Sequence, residues 1–344
     1  MDLLKRLACV WLVGLVASCK PELEGRPSLV TGPRVLAVRG VPAEGEPRDP
    51  VTFDALVVDG AGTMATPPLS WSFCVARKPI AELGSVANAC VTGESGALQL
   101  LGDGATVTSK LPQDACRNFG PEVPSPKKGE DPGRPIDPDS SGGYYQPLRV
   151  DLAGGGDALT TFASARLSCG VAGASSAESA DFRARYHVNV NPVVARLSLD
   201  GADVADGASV AVRPGAAVAL VASWASCPQT DTCGDGVCGA DESRASCTDD
   251  CAPAPKGCTG AERYVAYDAE SRAVQVRRES VVASWFATGG SFSSDRSGRD
   301  GADVATDTQV TFTAPSAPGA LHAWVVLRDE RAGVGWRSFV LDVR

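Results

Sequence analysis

The sequence predicts a mainly β chain with two β-sandwich domains, residues 33–190 and 191–344, and one short helix between them. Three observations predict this class. Apolar residues alternate with polar ones in many short segments, turn-forming Gly, Pro and Asp separate those segments, and hydrophobic residues make up 44% of the 344 positions. Alternation with a period of two buries one face of a strand, and short strands at regular spacing are typical of sandwiches. A small disulfide-rich insert, residues 227–258, is expected within the second domain.

The N-terminal segment has the order of a secretory signal. Lys5 and Arg6 precede an apolar run over residues 7–17, which small residues follow. That order is typical of a secretory signal, and the run is too short for a membrane-spanning helix, which needs about 20 apolar residues.

The end of this segment, Val16-Ala17-Ser18-Cys19, resembles the lipobox of bacterial lipoproteins, in which the chain is cut before the cysteine and the cysteine is acylated. The resemblance implies a lipoprotein signal peptide at residues 1–18, a lipid such as palmitate on Cys19, and a lipidated tether over residues 19–32. The alternative is an ordinary signal peptide that is cut nearby.

The first domain is expected to contain four strands and a long loop. The strands are predicted at residues 51–57, 69–73, 148–152 and 159–167. Residues 117–146 are rich in Pro and Gly and predict an extended loop. Ser175 and Glu178 have the spacing of a capping box, which predicts the helix at about residues 176–186.

The second domain is expected to be a sandwich that contains a central tryptophan. Trp285 and, in the first domain, Trp71 each follow a serine within a predicted strand, as buried tryptophans do in sandwiches. Both halves resemble bacterial immunoglobulin-like or PKD-like domains, although the Cys…Trp…Cys pattern of antibody domains is absent; two unrelated β-rich domains are the alternative. The strands are predicted at residues 193–199, 218–224, 281–287, 309–313, 321–327 and 336–343.

The cysteines predict a disulfide framework. Of the 12 cysteines, Cys9 leaves with the signal and Cys19 is lipidated, so four remain in the first domain and six in the second. Even numbers in an exported chain indicate disulfides, and short loops favour pairing within a block. The four cysteines at the centre of the insert allow three connectivities, and one of them is chosen as the last two pairs of the following list. The expected pairs are Cys74–Cys90, Cys116–Cys169, Cys227–Cys258, Cys233–Cys247 and Cys238–Cys251.

The insert contains the motif Cys233-Gly234-Asp235-Gly236-Val237-Cys238. It resembles the C-G-D-G-x-C modules of myxobacterial surface proteins and, loosely, Notch-type repeats that fold around calcium. Calcium prefers several hard oxygens, and the alternative is that these residues only form turns. Zinc is disfavoured, because exported thiols oxidise and no histidine is near in the sequence. The candidate calcium ligands are Asp235, Asp241, Glu242, Asp249 and Asp250.

Charge and composition exclude several classes of function. With 32 basic against 41 acidic residues the net charge is −9, which is the wrong sign for a nucleic-acid partner. Only two histidines occur, and His187 and His322 are both expected at the surface or, for His187, at a helix end. Histidine-based catalysis and His-rich zinc sites are therefore disfavoured.

Four further segments resemble myxobacterial outer-membrane lipoproteins of unknown role, namely residues 33–39, 71–74, 142–147 and 185–192. With Lys20 after the lipobox cysteine, the resemblance implies an outer-membrane lipoprotein. The expected function is non-enzymatic: a lipid-anchored envelope protein that binds or scaffolds an unidentified envelope protein or polysaccharide. The alternative is a lipid-anchored hydrolase that uses paired carboxylates.

Overall fold

The computed structural model describes residues 26–79, 81–121, 128–129, 139–153, 159–253 and 255–344. Within these ranges the chain forms two β-sandwiches and a separate two-stranded hairpin. The mainly β prediction is confirmed. In the same ranges, three helices of a single turn accompany the helix predicted between the domains.

The described part of the first domain holds nine strands and two short helices. They are β1 Arg34–Val41, β2 Glu44–Gly45, β3 Pro50–Asp59, β4 Gly62–Thr63, β5 Leu69–Cys74, α1 Asn88–Thr92, β6 Leu98–Asp103, β7 Thr106–Lys110, α2 Ala115–Phe119, β8 Gly143–Leu152 and β9 Leu159–Ser168. One sheet has the order β1-β3-β4 with β7 also paired to β3, and the other has the order β2-β9-β8-β5-β6.

The loop in the structure is shorter at both ends than the loop expected over residues 117–146. Helix α2 extends into its first residues, and strand β8 begins at Gly143, five residues before the predicted strand. Residues 122–127 and 130–138 of that loop lie outside the described ranges. The early start of β8 follows from its pairing, because Gly143 through Leu152 all face residues of β9.

The core of the first sandwich lies between its two sheets. Phe53 of β3 and Phe73 of β5 meet edge to face, with ring centroids 5.8 Å apart. Trp71 is completely buried beside them, as predicted, and its indole nitrogen donates a hydrogen bond to the carbonyl of Gly104 at 2.8 Å. The bond satisfies the one polar group of this side chain, as burial requires.

In the described residues of the second sandwich there are ten strands. They are β10 Arg196–Leu199, β11 Ala202–Asp203, β12 Ser209–Val212, β13 Ala217–Ser223, β16 Val281–Ala287, β17 Ser291–Phe292, β18 Arg296–Arg299, β19 Asp307–Thr313, β20 Gly319–Asp329 and β21 Val334–Val343. The two sheets have the orders β11-β10-β13-β19-β17 and β12-β21-β20-β16-β18. Trp285 lies buried between them, and its indole nitrogen donates to the Ser297 hydroxyl at 2.9 Å.

Between β13 and β16 the chain leaves the sandwich for longer than the sequence predicted. The insert, which holds a single-turn helix at Thr248–Cys251, is followed by its own hairpin, β14 Arg263–Asp268 and β15 Ala273–Arg278. Over the described ranges this hairpin forms a sheet of its own, apart from both sandwiches. Residues beyond 258 were expected to rejoin the sandwich, but the chain does so only at Val281.

The helix between the domains, α3 Ser176–Arg185, packs on this hairpin. Its capping box is present as predicted: the Ser175 hydroxyl accepts from the Glu178 amide, and the Glu178 carboxylate accepts from the Ser175 amide. Glu178 also pairs with Arg272 of the hairpin at 3.0 Å. The Ser175 amide and the Arg272 guanidinium lower the pKa of Glu178 to about 2. Phe182 and Tyr267 form part of the apolar contact between helix and hairpin.

The two sandwiches are joined by an apolar interface. Trp324 and Val326 lie on the face of β20 that points away from the second core, and they pack against Leu36, Leu56 and Val58 of the first domain. The Trp324 indole nitrogen donates to the Thr63 hydroxyl at 2.8 Å across this interface. The outer face of this sheet is therefore buried here, as its inner face is.

Candidate functional site

The anchor residue predicted from the sequence, Cys19, lies with residues 1–25 outside the described ranges. The described chain begins at Arg26 and quickly joins the second domain. The Ala287 amide donates to the Ser28 carbonyl at 2.9 Å, and the Val30 amide donates back to the Ala287 carbonyl at 2.9 Å. In the part of the chain that is described, no helix is long and apolar enough to cross a membrane.

Five disulfides are formed among the described residues, and they are the five pairs expected from the sequence. The pair Cys227–Cys258 closes the insert at its base, next to an isolated parallel β-bridge, formed by backbone hydrogen bonding, between Ala225 and Gly260. The other four pairs are Cys74–Cys90, Cys116–Cys169, Cys233–Cys247 and Cys238–Cys251. The ends of the insert therefore leave the sandwich together, and two internal bridges replace the core that so short a segment cannot build.

Two of the five candidate calcium ligands come together in the insert. Oxygen atoms of Glu242 and Asp250 lie within 4.8 Å of each other and of two cysteine sulfurs. Those sulfurs belong to Cys233 and Cys247, which are disulfide-bonded and offer no thiolate. One oxygen of Glu242 accepts from the Gly239 amide at 2.9 Å, and the other, Oε1, is buried with no hydrogen-bond donor among the described residues.

Asp250 stabilises the Cys-Gly-Asp-Gly turn through hydrogen bonds to its backbone. Its carboxylate accepts from the amides of Gly234, at 2.5 Å, and Gly236, at 3.2 Å, and the Lys256 ammonium lies 3.4 Å away. Hydrogen bonding from Gly234 and attraction to Lys256 lower the pKa of Asp250. This carboxylate already performs the turn-forming role that was the alternative to calcium.

Of the remaining three candidate ligands, two have other partners and the third is exposed. Asp235 accepts from the Val237 amide in its own turn, and Asp241 pairs with Arg185 at 2.6 Å. Asp249 is exposed at the start of the single-turn helix, which is α4 in chain order. Calcium takes six to eight oxygens, so the residues present fit the ion only in part. Glu242 Oε1 is available as it stands, Asp250 would have to exchange its present donors for the ion, and the other three would have to move.

Both histidines are half-buried and so less exposed than expected, although His187 does lie near the end of α3. Nε2 of His187 lies 2.9 Å from the Gly239 carbonyl and 3.3 Å from the sulfur of Cys238, so this half-buried residue joins the interdomain segment to the insert. Burial lowers its pKa, which keeps the ring neutral at neutral pH. His322 is half-buried beside Trp324 at the domain interface.

A cluster of buried charges, which the sequence did not predict, lies where the domains, the interdomain segment and the hairpin meet. Glu44 of β2 is 2% exposed. Its carboxylate accepts from Arg166 at 3.0 Å, from Ser168 at 2.7 Å, from the Tyr186 hydroxyl and from the Asn189 amide. Burial raises the pKa of Glu44, but attraction to Arg166 and Arg331 and these hydrogen bonds outweigh burial, so the pKa is lowered.

Arg331, which is 2% exposed, holds the other half of this junction cluster. Its guanidinium donates to Glu279 at 2.7 Å and to Glu262, and it lies 4.8 Å from the centre of the Tyr264 ring. Burial raises the pKa of Glu262 and Glu279, and the guanidinium offsets this only in part.

Asp329 completes the junction cluster. It accepts from the Asn189 side chain at 3.2 Å and from the amides of Arg331 and Gly333, and burial raises its pKa. Within the described chain, four buried carboxylates thus lie around two buried guanidinium groups, and the partly exposed Asp139 lies 3.6 Å from Arg166 as well. The surplus of carboxylates keeps protons on some of them at pH values where exposed carboxylates have lost theirs.

The paired carboxylates of the junction cluster do not form an open cleft. Glu262 and Glu279 share Arg331 and are 6% and 0% exposed. The cavity that reaches Glu262 has a volume of about 10 Å³, too small for a sugar ring.

Comparison with known proteins gives only weak similarity to solved structures. No family model matches the sequence, and no curated protein is similar to it. The chain is similar to dimeric latent PorU from Porphyromonas gingivalis, with 11% identity, coverage of 93% of this chain and 25% of that one, and a TM-score of 0.21. It is similar to Clostridium thermocellum CbhA fibronectin(III)-like modules, with 10% identity, coverage of 92% and 90%, and a TM-score of 0.22. It is also similar to the tandem Ig repeats of Dlar, with 9% identity, coverage of 92% of this chain and 99% of that one, and a TM-score of 0.23. Scores this low carry no argument, so the architecture rests on the strand pairing itself.

Proposed function

We propose that this chain is a lipid-anchored protein of the cell envelope that binds or scaffolds a partner without catalysis. The signal segment and the lipobox-like Cys19 support the anchor. The partner is an envelope protein or a polysaccharide, and Lys20 favours the outer membrane.

The observation that carries the binding role is the way the two sandwiches are fixed to each other. Their interface combines the apolar contact around Trp324 with the hydrogen bond to Thr63 and the junction cluster of buried charges. A fixed pair of sandwiches presents its loops and strand edges in a constant arrangement, which lowers the ordering cost of binding. The hydrolase alternative has no specific observation in its favour.

Membrane fractionation tests the anchor. The parent chain should incorporate labelled palmitate and remain with the membranes, and Cys19→Ala should release it because the proposed attachment is the lipid. A Cys9→Ala variant is the matched control and should stay anchored, since Cys9 leaves with the signal. An unlabelled parent would refute the proposal of a lipid anchor.

Photo-crosslinking in intact cells, followed by identification of the crosslinked material, tests the binding role. A discrete partner that crosslinks to the parent chain supports this role. Crosslinking to no envelope component from any exposed loop of either sandwich would contradict it.

A further inference from the structure

A cleft of about 280 Å³ lies between the first sandwich and the second domain. Residues 35–38 of β1 and residues 161–164 of β9 line it from the first sandwich, and Arg328 and Val334 line it from the second domain. The volume corresponds to roughly nine water molecules, which is enough for a short piece of extended chain.

Both segments of the first sandwich that line this cleft are strand edges. Within the described ranges, β1 pairs with β3 on one side only, and β9 pairs with β8 along its length. On its other side β9 meets β2 at only two of the described positions, Arg166 and Leu167. The edge of β9 over residues 159–165 is thus unpaired in the described chain, and such an edge offers main-chain donors and acceptors to an added strand.

The cleft also contains a positive charge without a counter-charge. The Arg328 guanidinium donates to the Leu36 carbonyl at 2.6 Å and to the Ser284 hydroxyl at 3.3 Å. Among the described residues no carboxylate forms an ion pair with it. Burial and the nearby Arg296 lower the pKa of Arg328.

The backbone of β1 holds Arg328 in this position, and the carboxylate that borders the cleft is already occupied. The register of β1 against β3 shifts at Leu36, which has no partner in the ladder, and Arg328 takes its carbonyl. Asp329 also borders the cleft, but its carboxylate is occupied by Asn189 and by the amides of Arg331 and Gly333. A half-buried, unpaired guanidinium gains most from an incoming carboxylate, because their hydrogen bond is charge-assisted.

We propose that this cleft binds an extended peptide segment that carries a carboxylate. The segment adds to the edge of β9 through its main chain, and its carboxylate, from an acidic side chain or a chain end, pairs with Arg328. The proposal rests on the binding role proposed above and specifies its site and the chemistry of its partner.

Paired peptide sets test this site on the lipid-free Cys19→Ala chain. The probes are hexapeptides of Val, Ile and Thr with one Glu at each position in turn, matched by the same peptides with Gln, and sets with a free or an amidated C-terminus. Fluorescence anisotropy measures the dissociation constants. We expect the best acidic peptides to bind at least about tenfold more tightly than their neutral matches, and N-methylation at alternate residues to abolish binding because it removes main-chain donors.

Two arginine variants separate the charge from the fold. Arg328→Gln should remove the preference for acidic peptides. Arg337→Gln is the matched control, because Arg337 also donates to backbone carbonyls, those of Val194 and Val204, but lies outside the cleft. Binding of no peptide, binding that tolerates N-methylation, or an acidic preference that survives Arg328→Gln would overturn the proposal. These outcomes leave the crosslinking test unaffected, so failure of this site and failure of the binding role are distinguishable.

Discussion

Replacing Arg331 with Met should show how much the domain junction depends on one buried guanidinium. Methionine fills a similar volume but donates no hydrogen bond. The change would leave Glu262 and Glu279, now 6% and 0% exposed, without their shared cation and would remove a hydrogen bond to the His187 carbonyl. Removing one partner of a buried ion pair costs about 3–5 kcal/mol, because the other charge stays buried and uncompensated.

This cost should depend on pH in a defined direction. A carboxyl group whose pKa is higher in the folded chain than in the unfolded chain contributes no penalty below its unfolded value, which is 4.5 for Glu. The penalty grows as pH rises, because the unfolded chain gives up its protons first. Loss of Arg331 raises the pKa of Glu262 and Glu279 further, so the deficit of the variant should be small at pH 4 and should grow as the pH rises to 8.

Urea unfolding followed by tryptophan fluorescence at pH 4, 6 and 8 measures the deficit. Adding Glu279→Gln to Arg331→Met should recover about 1–2 kcal/mol at pH 8, because one stranded carboxylate is gone. Arg196→Met is the control: its ion pair with Asp203 is exposed and should contribute less than about 1 kcal/mol. A deficit equal at pH 4 and pH 8, or below about 1 kcal/mol at pH 8, would refute the reasoning.

Two further predictions concern the domain interface and the insert. Trp324→Ala should lower the free energy of unfolding by about 3–5 kcal/mol in the same assay, because it empties a buried site and leaves the Thr63 hydroxyl without its donor. Val304→Ala, at a 63% exposed position, is the control and should change the free energy of unfolding by less than about 0.5 kcal/mol. Equal effects of the two substitutions would contradict the role of the interface. Calorimetric titration should detect calcium binding to the full chain at millimolar concentration. Glu242→Gln should abolish this binding, and Asp249→Asn should leave it unchanged. If the parent chain binds no calcium, these carboxylates only form turns.

Local sequence signals predicted the individual elements well. Strand β16 covers the residues predicted, 281–287, because its alternation and flanking turns are both local. The capping box at Ser175 is likewise a signal contained in four residues, and the structure confirms both of its hydrogen bonds. The insert was recognised from its cysteine spacing, for the same reason.

Contacts between distant segments could not be predicted in this way. The junction cluster brings Glu44, Arg166, Glu262, Glu279 and Arg331 together from separate parts of the chain, and no single segment carries a pattern that indicates the others. Each residue alone has the appearance of an ordinary surface charge. Their meeting depends on how the domains pack, which spacing in sequence does not encode.

Two of the missed features did leave a trace in the sequence. Residues 323–327 of β20 are apolar without interruption, and a strand of this kind is buried on both faces. The hairpin strands β14 and β15 show alternation in Val265 and Tyr267 and again in Val274 and Val276. The first pattern indicates the domain interface, and the second indicates the hairpin that follows the insert.

The fastening of the N-terminal segment to Ala287 has a mechanical consequence for a chain anchored at Cys19. Nine peptide steps separate Cys19 from Ser28, so the anchor can reach at most about 30 Å from the point where the chain meets the second sandwich. In such a chain, tension on the proposed lipid would be transmitted first to β16, in the sheet of the second domain, because Ser28 and Val30 are bonded there. The first sandwich, although it comes earlier in the sequence, lies behind this attachment point, and the load would bypass it until the bonds to Ala287 give way.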